Sequence, residues 1–490
     1  MRRAVLKHLS IALLLLLAGC TVGPNYHRPS VPAAPAWKEQ PPWRTATPQD
    51  SIPKGQWWTI FGDPELSGYE TQALTANQSI EVARYQLDQA RASARITQSG
   101  LFPQGTVGFS AQRARLSGNR PTNGSTIILA PVTQNTFSLP FNLSWELDVF
   151  GGVRRNVESA NALYQSSAAN LENVRLVITA ELAVDYFTLR ELDAEIAVVD
   201  SAVEYQQRGL KLVQNRHDGG IASGLDVAQQ ETLLNSTRTQ ATLLRQQRAQ
   251  FEHAIATLVG TPASSFGIPI KPLALQPPVI PAGVPSDVLE RRPDVAIAER
   301  QMASQNAQIG VAKSAFYPSI GIVAGGGANS SGLGQILNVP STFWALGANV
   351  AETIFNGGKL HAQLDFARSA YGGSVANYRQ TVLTAFQEVE DGLSGLSVLA
   401  EAAQTQQQAV EAAQRALNIA NDRYVGGLVT FLDVITAQET LLDNQRLATQ
   451  LLGQRLVTSV SLIKALGGGW DASSLQAIHI DATWKQAVQP

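Results

Sequence analysis

The sequence consists of two similar halves, and this duplication constrains the fold more than any other feature of the chain. Residues 216–227 (RHDGGIASGLDV) align with residues 423–434 (RYVGGLVTFLDV), about 207 positions later. Residues 146–152 (ELDVFGG) correspond in the same way to 352–358 (ETIFNGG), and 101–103 (LFP) to 316–318 (FYP) at a slightly longer offset. We therefore expect one structural unit that occurs twice in succession.

The N-terminus has the pattern of a secretory signal peptide, with a basic start and a short apolar core over residues 11–18. Residues 17–20 (LAGC) resemble a bacterial lipobox, in which Cys20 becomes the first mature residue and carries a diacylglyceryl group. A plain signal peptide followed by a chance cysteine is the alternative. The next residue is Thr21 rather than the aspartate that often retains lipoproteins at the inner membrane, so outer-membrane delivery is favoured.

Composition excludes several classes of function. A formal net charge of −2 does not favour nucleic-acid binding, which needs a basic face. Cys20 is the only cysteine and the six histidines are scattered, so we expect no metal site and no cofactor other than the covalent lipid. The sequence also lacks a nucleophile–base pair, a Gly-x-Ser-x-Gly motif and a phosphate-binding loop, so we do not expect an enzyme.

Prolines mark the boundaries between segments. Eight of the 24 prolines fall in residues 24–53 and seven in residues 262–285, where extended or irregular chain is expected. The predicted segments are a signal peptide (1–19), a lipidated extended tether (20–60), a first repeat (61–262), a linker (263–285), a second repeat (286–466) and a C-terminal periplasmic segment (467–490).

Long helices are predicted in the two regions that lack proline, 141–261 and 341–489. Apolar residues recur there about every 3.5 positions, which is the spacing of coiled coils. Each long helix could hold about 60 residues and span about 90 Å. An isolated soluble coiled coil would explain this spacing but not the strands described next.

Strands are predicted where apolar and polar residues alternate. The alternation is complete over residues 136–150, with a partner near 107–111, and further candidates are 318–328 and 342–355. Pro140 is unexpected inside a strand because it cannot donate a ladder hydrogen bond. A soluble sandwich gives the same alternation as a membrane β-barrel. Because four strands cannot close a barrel, a membrane β-barrel would require several copies of the chain to share one barrel.

Pairs of glycines occur at each predicted change of direction and are expected to supply positive φ angles there. They lie where a strand becomes a helix and where one long helix turns back into the next. These predicted hinge residues are Gly151, Gly152, Gly219, Gly220, Gly357, Gly358, Gly426 and Gly427.

Several motifs together resemble outer-membrane efflux channels of the TolC and OprM type, in the NodT-like lipoprotein branch. The matching stretches are 17–20, 57–66 (WWTIFGDPEL), 289–295 (LERRPDV), 309–313 (IGVAK), 316–318 and 423–442. The resemblance implies a mixed α+β fold and a homotrimer, with four strands per protomer in one twelve-stranded β-barrel that continues into a periplasmic helical barrel. It implies an exit duct that exports small molecules. The partners that it implies are outer-membrane lipid, a periplasmic adaptor (membrane fusion) protein and an inner-membrane transporter of the RND type.

The same resemblance assigns gate roles to residues at the helical turns. Asp433 matches a gate aspartate and Leu432 the apolar constriction beside it, while Asp226 matches an aspartate that accepts a hydrogen bond from a tyrosine, here Tyr424. The alternative is that both aspartates are N-caps of the returning helices. The chain departs from the family at 436–439, where Thr436 and Glu439 replace an acid–base pair, so Asp433 would carry more of the gate.

Two other classes of function remain open at the level of sequence. A type I secretion exit channel would have the same fold with different partners, although the lipobox and the LERRPD motif favour efflux. A periplasmic enzyme or coiled-coil lipoprotein explains fewer features, because it accounts for neither the duplication nor the strand pairs.

Overall fold

The computed structural model describes residues 21–30, 37–38, 55–117, 131–273, 275–280, 291–469 and 475. The signal peptide, Cys20, most of the polar segment 117–124 and most of the C-terminal segment lie outside these residues. The helices, in chain order, are α1 (Pro64–Ala76), α2 (Gln78–Ser99), α3 (Gly152–Asp218), α4 (Gly224–Leu258), α5 (Pro293–Ser314), α6 (Lys359–Val425) and α7 (Phe431–Ala465). The strands are β1 (Gln104–Val107), β2 (Ser110–Leu116), β3 (Val132–Leu147), β4 (Ser319–Ser330) and β5 (Thr342–Ala351).

The helix lengths confirm the duplication. Helices α2 and α5 both have 22 residues, α3 and α6 both have 67, and α4 and α7 both have 35. Equivalent residues lie 207 positions apart in the long helices (Gly152 and Lys359, Gly224 and Phe431) and 215 apart in α2 and α5 (Gln78 and Pro293). The longest helices exceed the predicted 60 residues and extend about 100 Å at about 1.5 Å per residue.

The strands form one antiparallel sheet in the order β1–β3–β4–β5, with β2 also paired to β3. All four predicted strand regions are present, with shifted ends: 136–150 is β3 at 132–147, 318–328 is β4 at 319–330, and 342–355 is β5 at 342–351. The partner predicted near 107–111 is split into β1 and β2, and Phe109 lies in the gap between them.

Pro140 accounts for that gap. Its carbonyl oxygen accepts a hydrogen bond from the backbone N–H of Gly108 at 3.0 Å, so the edge of Pro140 that lacks an N–H faces the break between β1 and β2. On the other side, Pro140 lies opposite Gly327 of β4. The proline is therefore tolerated because the first strand is interrupted beside it.

The two faces of the sheet have different chemistry. Residues directly opposite one another on paired strands share a face, so the register extends the apolar row of β3 across the sheet. That row continues into β1, β4 and β5 through Val107, Ile320, Ile322, Ala324, Leu346, Ala348 and Val350, with Trp344 also on this face. The opposite face carries mostly polar and small residues such as Ser138, Asn142, Ser144, Gly325 and Asn349, with Val323 and Phe343 as apolar exceptions. Every strand residue except Ala328 is exposed or half-buried in the protomer.

The main hydrophobic core lies around the middle of α3. Trp57, Trp58 and Phe61 precede α1 and pack there with Tyr186 and Phe187 of α3. Helix α3 also packs against α2, α4, α5 and α7, so it is the central element of the protomer. No helix in the described part of the chain is long and apolar enough to cross a membrane.

Residues 21–30, predicted as part of an extended tether, contain neither helix nor strand. They are nevertheless bound to the helices. The Tyr26 hydroxyl donates a hydrogen bond to Glu299 of α5 at 2.5 Å, and the Arg28 guanidinium donates to the Tyr378 hydroxyl of α6 at 2.9 Å. Thr21 lies against Gly151, at the junction of β3 and α3. The N-terminal segment therefore connects the two repeats near the base of the sheet.

Candidate functional site at the helical turns

Two helical hairpins, α3–α4 and α6–α7, reverse at equivalent positions and pack against each other near their ends. A separate hydrophobic cluster joins them there, with Val213 of α3, Leu233 of α4, Tyr424 of α6 and Phe431 and Val434 of α7. The turns therefore belong to one packed unit, and the residues that the sequence predicts for a gate lie on it or beside it.

Tyr424 is the central contact between the two hairpins. Its ring lies 4.9 Å from the Phe431 ring and 4.9 Å from the Arg216 guanidinium carbon of α3, which is a cation–π contact across the repeats. Burial raises the pKa of Tyr424, and the charge of Asp226 also raises it, while the Arg216 cation opposes them. The charges of Arg216 and Asp226 therefore act on the Tyr424 hydroxyl in opposite directions.

Asp226 uses its carboxylate within its own turn. The Ser223 N–H donates to Asp226 Oδ2 at 3.0 Å, and the Asp226 N–H donates to Ser223 Oγ at 3.2 Å, which is a reciprocal capping box. The N-cap of α4 is Ser223, and Asp226 is the third residue of the helix. The alternative prediction that Asp226 is itself the N-cap is therefore wrong. Among the described contacts, the Tyr424 hydroxyl makes no hydrogen bond.

Asp433 occupies the equivalent position of α7, with Thr430 as the N-cap. The backbone N–H and the hydroxyl of Thr430 donate to Asp433 Oδ2 at 3.0 and 2.7 Å. The Asp433 side chain remains exposed, and so does that of Leu432 beside it. One turn further along α7, the hydroxyl of Thr436 donates to the Leu432 carbonyl oxygen, and Glu439 is exposed. The protomer thus presents an acidic and an apolar side chain at the start of α7.

The eight predicted glycines all lie at the turns or strand–helix junctions, but not all have positive φ angles. Five of them do, with φ between 62° and 85°: Gly151, Gly220, Gly357, Gly358 and Gly427. Gly219 and Gly426 instead have φ of −79° and −75°, because each is the first glycine of its turn and still follows the helix. Gly152 begins α3, and a Cβ there would lie 2.5 Å from Ser314 Oγ, so close packing explains this glycine.

Arg216, Ser223 and Thr430 were not predicted as site residues. The signal for Ser223 and Thr430 is the Ser/Thr-x-x-Asp pattern at the start of each returning helix. Arg216 gives no such signal, since its contact with Tyr424 joins residues more than 200 positions apart. In the described residues, no group of His, Cys, Asp or Glu side chains has the arrangement of a metal site.

A two-faced sheet joined to paired helices of about 100 Å, with acidic turns at their far ends, has the architecture of an outer-membrane channel. The sequence pattern of the outer membrane efflux protein family matches residues 71–261 and 284–468. The chain belongs to this family, and it acts as the outer-membrane exit duct of an efflux system.

Relatives and solved structures agree with this assignment. The chain is 33% identical over 473 residues to the probable efflux pump outer membrane protein TtgC of Pseudomonas putida, covering 94% of this chain and 95% of that protein. It is 33% identical over 469 residues to the pyoverdine export outer membrane protein OpmQ of Pseudomonas aeruginosa, covering 95% and 98%. The structure of the outer-membrane channel OprN superposes with a TM-score of 0.84 at 28% identity, covering 92% of this chain and all of that one.

Proposed function

We propose that three copies of the chain form one closed duct that spans the outer membrane and continues into the periplasm. The observation that carries this proposal is the sheet with two unlike faces and two free edges. Among the described residues of the protomer, β1 and β2 pair with β3 alone, and β5 pairs with β4 alone. Exposed strand edges invite further pairing, and joining β5 of each copy to β1 and β2 of the next would leave no edge.

The height of the apolar face fits a membrane. The apolar row of β3 runs from Phe137 to Leu147, ten residue steps of about 3.3 Å, which is about 33 Å along the strand. At the usual tilt of about 40°, this corresponds to a band about 25 Å tall, the height of the lipid-facing belt in outer-membrane barrels. The polar and small residues of the other face would then line the duct.

The partners follow from the place of the duct in an efflux system. We propose that the helical end of the trimer docks onto a periplasmic adaptor protein and that an inner-membrane transporter of the RND type delivers the substrates. Relatives named as efflux pump components favour this assembly over a type I secretion system. OpmQ, named for pyoverdine export, supports a small molecule as the substrate. The chain itself performs no catalysis in this scheme.

We also propose that Cys20 carries a lipid in the outer membrane. Thr21, the next residue, lies against Gly151 where the sheet meets the helices, which is the expected level of the inner lipid surface. We expect the mature N-terminal peptide of the purified protein to contain Cys20 with a diacylglyceryl group, measured by mass spectrometry. Cys20→Ala should retain the uncleaved signal sequence and lose the lipid mass. An unmodified Cys20 at the mature N-terminus would contradict the proposal.

The gate can be tested at Asp433. Three copies of this exposed carboxylate around a narrow axis would favour cations over anions. We expect Asp433→Arg to change the single-channel conductance in planar bilayers and to shift the ion preference toward anions. Identical conductance and selectivity in the variant and the natural protein would argue against a constriction at Asp433.

Two further variants separate the charge of Asp433 from its role in the helix cap. Asp433→Asn removes the charge but keeps an oxygen acceptor for Thr430, so the ion preference should weaken without reversing. Thr430→Val removes the hydroxyl donor and keeps the charge, at a cost to helix capping of about 1 kcal/mol. We expect its cation preference to stay unchanged. A conductance change in Thr430→Val as large as in Asp433→Arg would assign the effect to helix capping.

A further inference from the structure

Two arginines lie on the apolar face of the sheet, at the end farthest from the helices. Phe137 of the apolar row of β3 lies opposite Ala111 of β2, and residues directly opposite one another on paired strands share a face. Side chains alternate along a strand, so Arg113 and Arg115 lie on the same face as Ala111. Both arginines are exposed.

These arginines lie just beyond the apolar row. The row ends at Phe137, and β3 continues from its other end, Leu147, into α3. Two and four further residue steps of about 3.3 Å, at a tilt of about 40°, place Arg113 about 5 Å and Arg115 about 10 Å past the row. In the proposed duct, this is the level of the lipid headgroups at the outer surface of the membrane.

No carboxylate balances these two charges within the described part of the sheet. Residues 101–145 and 314–351 contain neither aspartate nor glutamate, so the one acidic residue of the five strands is Glu146, next to the helical end of β3. Within the described residues, neither Arg113 nor Arg115 has a hydrogen-bond or ion-pair partner. Each guanidinium therefore has its charge and its five N–H donors available for a ligand.

The helical end of the sheet has arginines of a different kind. There Arg154 binds Asp148 at 3.0 Å, and Arg155 binds Glu158 at 2.7 Å. Their charges are therefore balanced by carboxylates of the same chain. The contrast places the unbalanced positive charge at the outer end of the sheet and not at the end near the periplasm.

Polar side chains accompany the two arginines on their face. Asn135 of β3 lies directly opposite Arg113, and Thr133 lies opposite Arg115. Beyond Phe137 the face therefore presents guanidinium, amide and hydroxyl groups instead of apolar ones. Guanidinium groups bind phosphate through two parallel N–H donors, and amide and hydroxyl groups can bind the hydroxyls of a sugar.

We infer that Arg113 and Arg115 bind the phosphorylated glycolipid of the outer leaflet, through the lipid A part of lipopolysaccharide. This inference rests on the proposed trimeric duct and gives its outward face a lipid partner. The acyl chains would lie against the apolar row, the phosphates would meet the guanidinium groups, and the sugars would meet Asn135 and Thr133. Three copies would present six arginines to the surrounding lipid.

Lipid binding to the full-length lipoprotein tests the inference. Lipid A with both phosphates is titrated onto the protein in a mild detergent, and native mass measurement counts the lipid bound per trimer. Arg113→Gln with Arg115→Gln should weaken binding about tenfold, because two cations near an anionic lipid surface are removed. Equal binding to the natural protein and the double variant would overturn the inference.

A variant of unchanged composition moves both charges to the other face of β2. It combines Gln112→Arg, Arg113→Gln, Ala114→Arg and Arg115→Ala. Its net charge is that of the natural protein, yet we expect it to bind lipid A as weakly as the double variant. Undiminished binding would assign the attraction to overall charge and would contradict a site on the outward face.

Two other lipids, tested on the natural protein alone, keep the inference falsifiable if a variant fails to assemble. Dephosphorylated lipid A should bind about tenfold more weakly than lipid A with both phosphates. Phosphatidylglycerol, which has a phosphate but no sugar ring, should also bind more weakly. Trimers that bind lipid A equally with and without its phosphates, or that prefer phosphatidylglycerol, would overturn the inference and leave the duct intact. A chain that is monomeric throughout would overturn the proposed duct itself.

Discussion

Replacement of Asp193 by alanine is expected to destabilise the protein by about 3–5 kcal/mol, because it leaves two buried arginines without their shared counter-ion. The Asp193 side chain is 0% exposed. Its carboxylate accepts hydrogen bonds from Arg248 Nε at 2.6 Å, Arg190 Nη1 at 3.0 Å and the backbone N–H of Lys271 at 3.0 Å. Three of its acceptor positions are therefore used. Arg190 lies on α3 itself, whereas Arg248 joins α3 to α4 and Lys271 joins it to the following linker.

The network fixes the linker that follows α4. Arg248 Nη2 donates to the Ile268 carbonyl oxygen at 2.6 Å, and Arg190 Nη1 donates to that of Pro269 at 2.6 Å. Without Asp193, both guanidinium groups would keep these backbone contacts but would lose the buried carboxylate that they share. Each would retain a less buried partner, Glu65 for Arg190 at 2.8 Å and Glu252 for Arg248 at 2.7 Å. The loss should therefore release residues 268–271 as well as reduce the stability of α3 and α4.

A matched control lies on the same helix. Asp200 of α3 also binds an arginine of α4 through two contacts, to Arg245 Nη2 at 2.7 and 2.8 Å, but both side chains are exposed. Asp200→Ala should cost no more than about 1 kcal/mol. The measurement is chemical unfolding of the detergent-solubilised protein, followed by its helical circular dichroism. Equal losses in the free energy of unfolding of the two variants would show that the burial of Asp193 adds nothing to its contribution to stability.

The repeat explains why most of the fold is predictable from this sequence. The two glycine turns set the ends of the long helices, and their recurrence gives the same helix lengths in both halves. Strand positions follow from alternation, but their ends do not: Val149 continues the apolar alternation and yet lies beyond the last paired residue of β3. Alternation records which face a residue occupies, whereas the end of a strand depends on where its neighbour stops pairing.

The candidate site is less predictable than the fold. Asp226 and Asp433 can be placed at the helix starts from sequence, because the capping pattern is local. The contact of Arg216 with Tyr424 cannot, since it depends on how two hairpins pack. The buried network of Asp193 is likewise hidden, because a charged residue on a helix usually indicates a solvated face. Nothing local marks this aspartate as different from Asp200.

Gly327→Ala is expected to prevent most of the chain from reaching its folded, membrane-inserted state. Gly327 has a φ of 149°, and an added Cβ would lie 2.1 Å from the Leu139 carbonyl oxygen of β3. The cost combines backbone strain of about 1–2 kcal/mol with a forced shift of the strand of about 1–3 kcal/mol. The measurement is the amount of detergent-resistant trimer in the outer-membrane fraction, which should fall several-fold relative to the natural protein.

Gly325→Ala is the matched control, two residues away on the same strand and the same face. A Cβ at Gly325 would have only an ordinary contact of 3.4 Å, with the Asn142 side chain, and its φ is not positive. We expect this variant to assemble nearly as well as the natural protein. Comparable losses of trimer for both variants would contradict the close contact at Gly327 as the cause. They would show instead that any side chain added to this face of β4 impairs assembly. A selective loss for Gly327 would show that β4 needs a glycine opposite Pro140 to pair with β3.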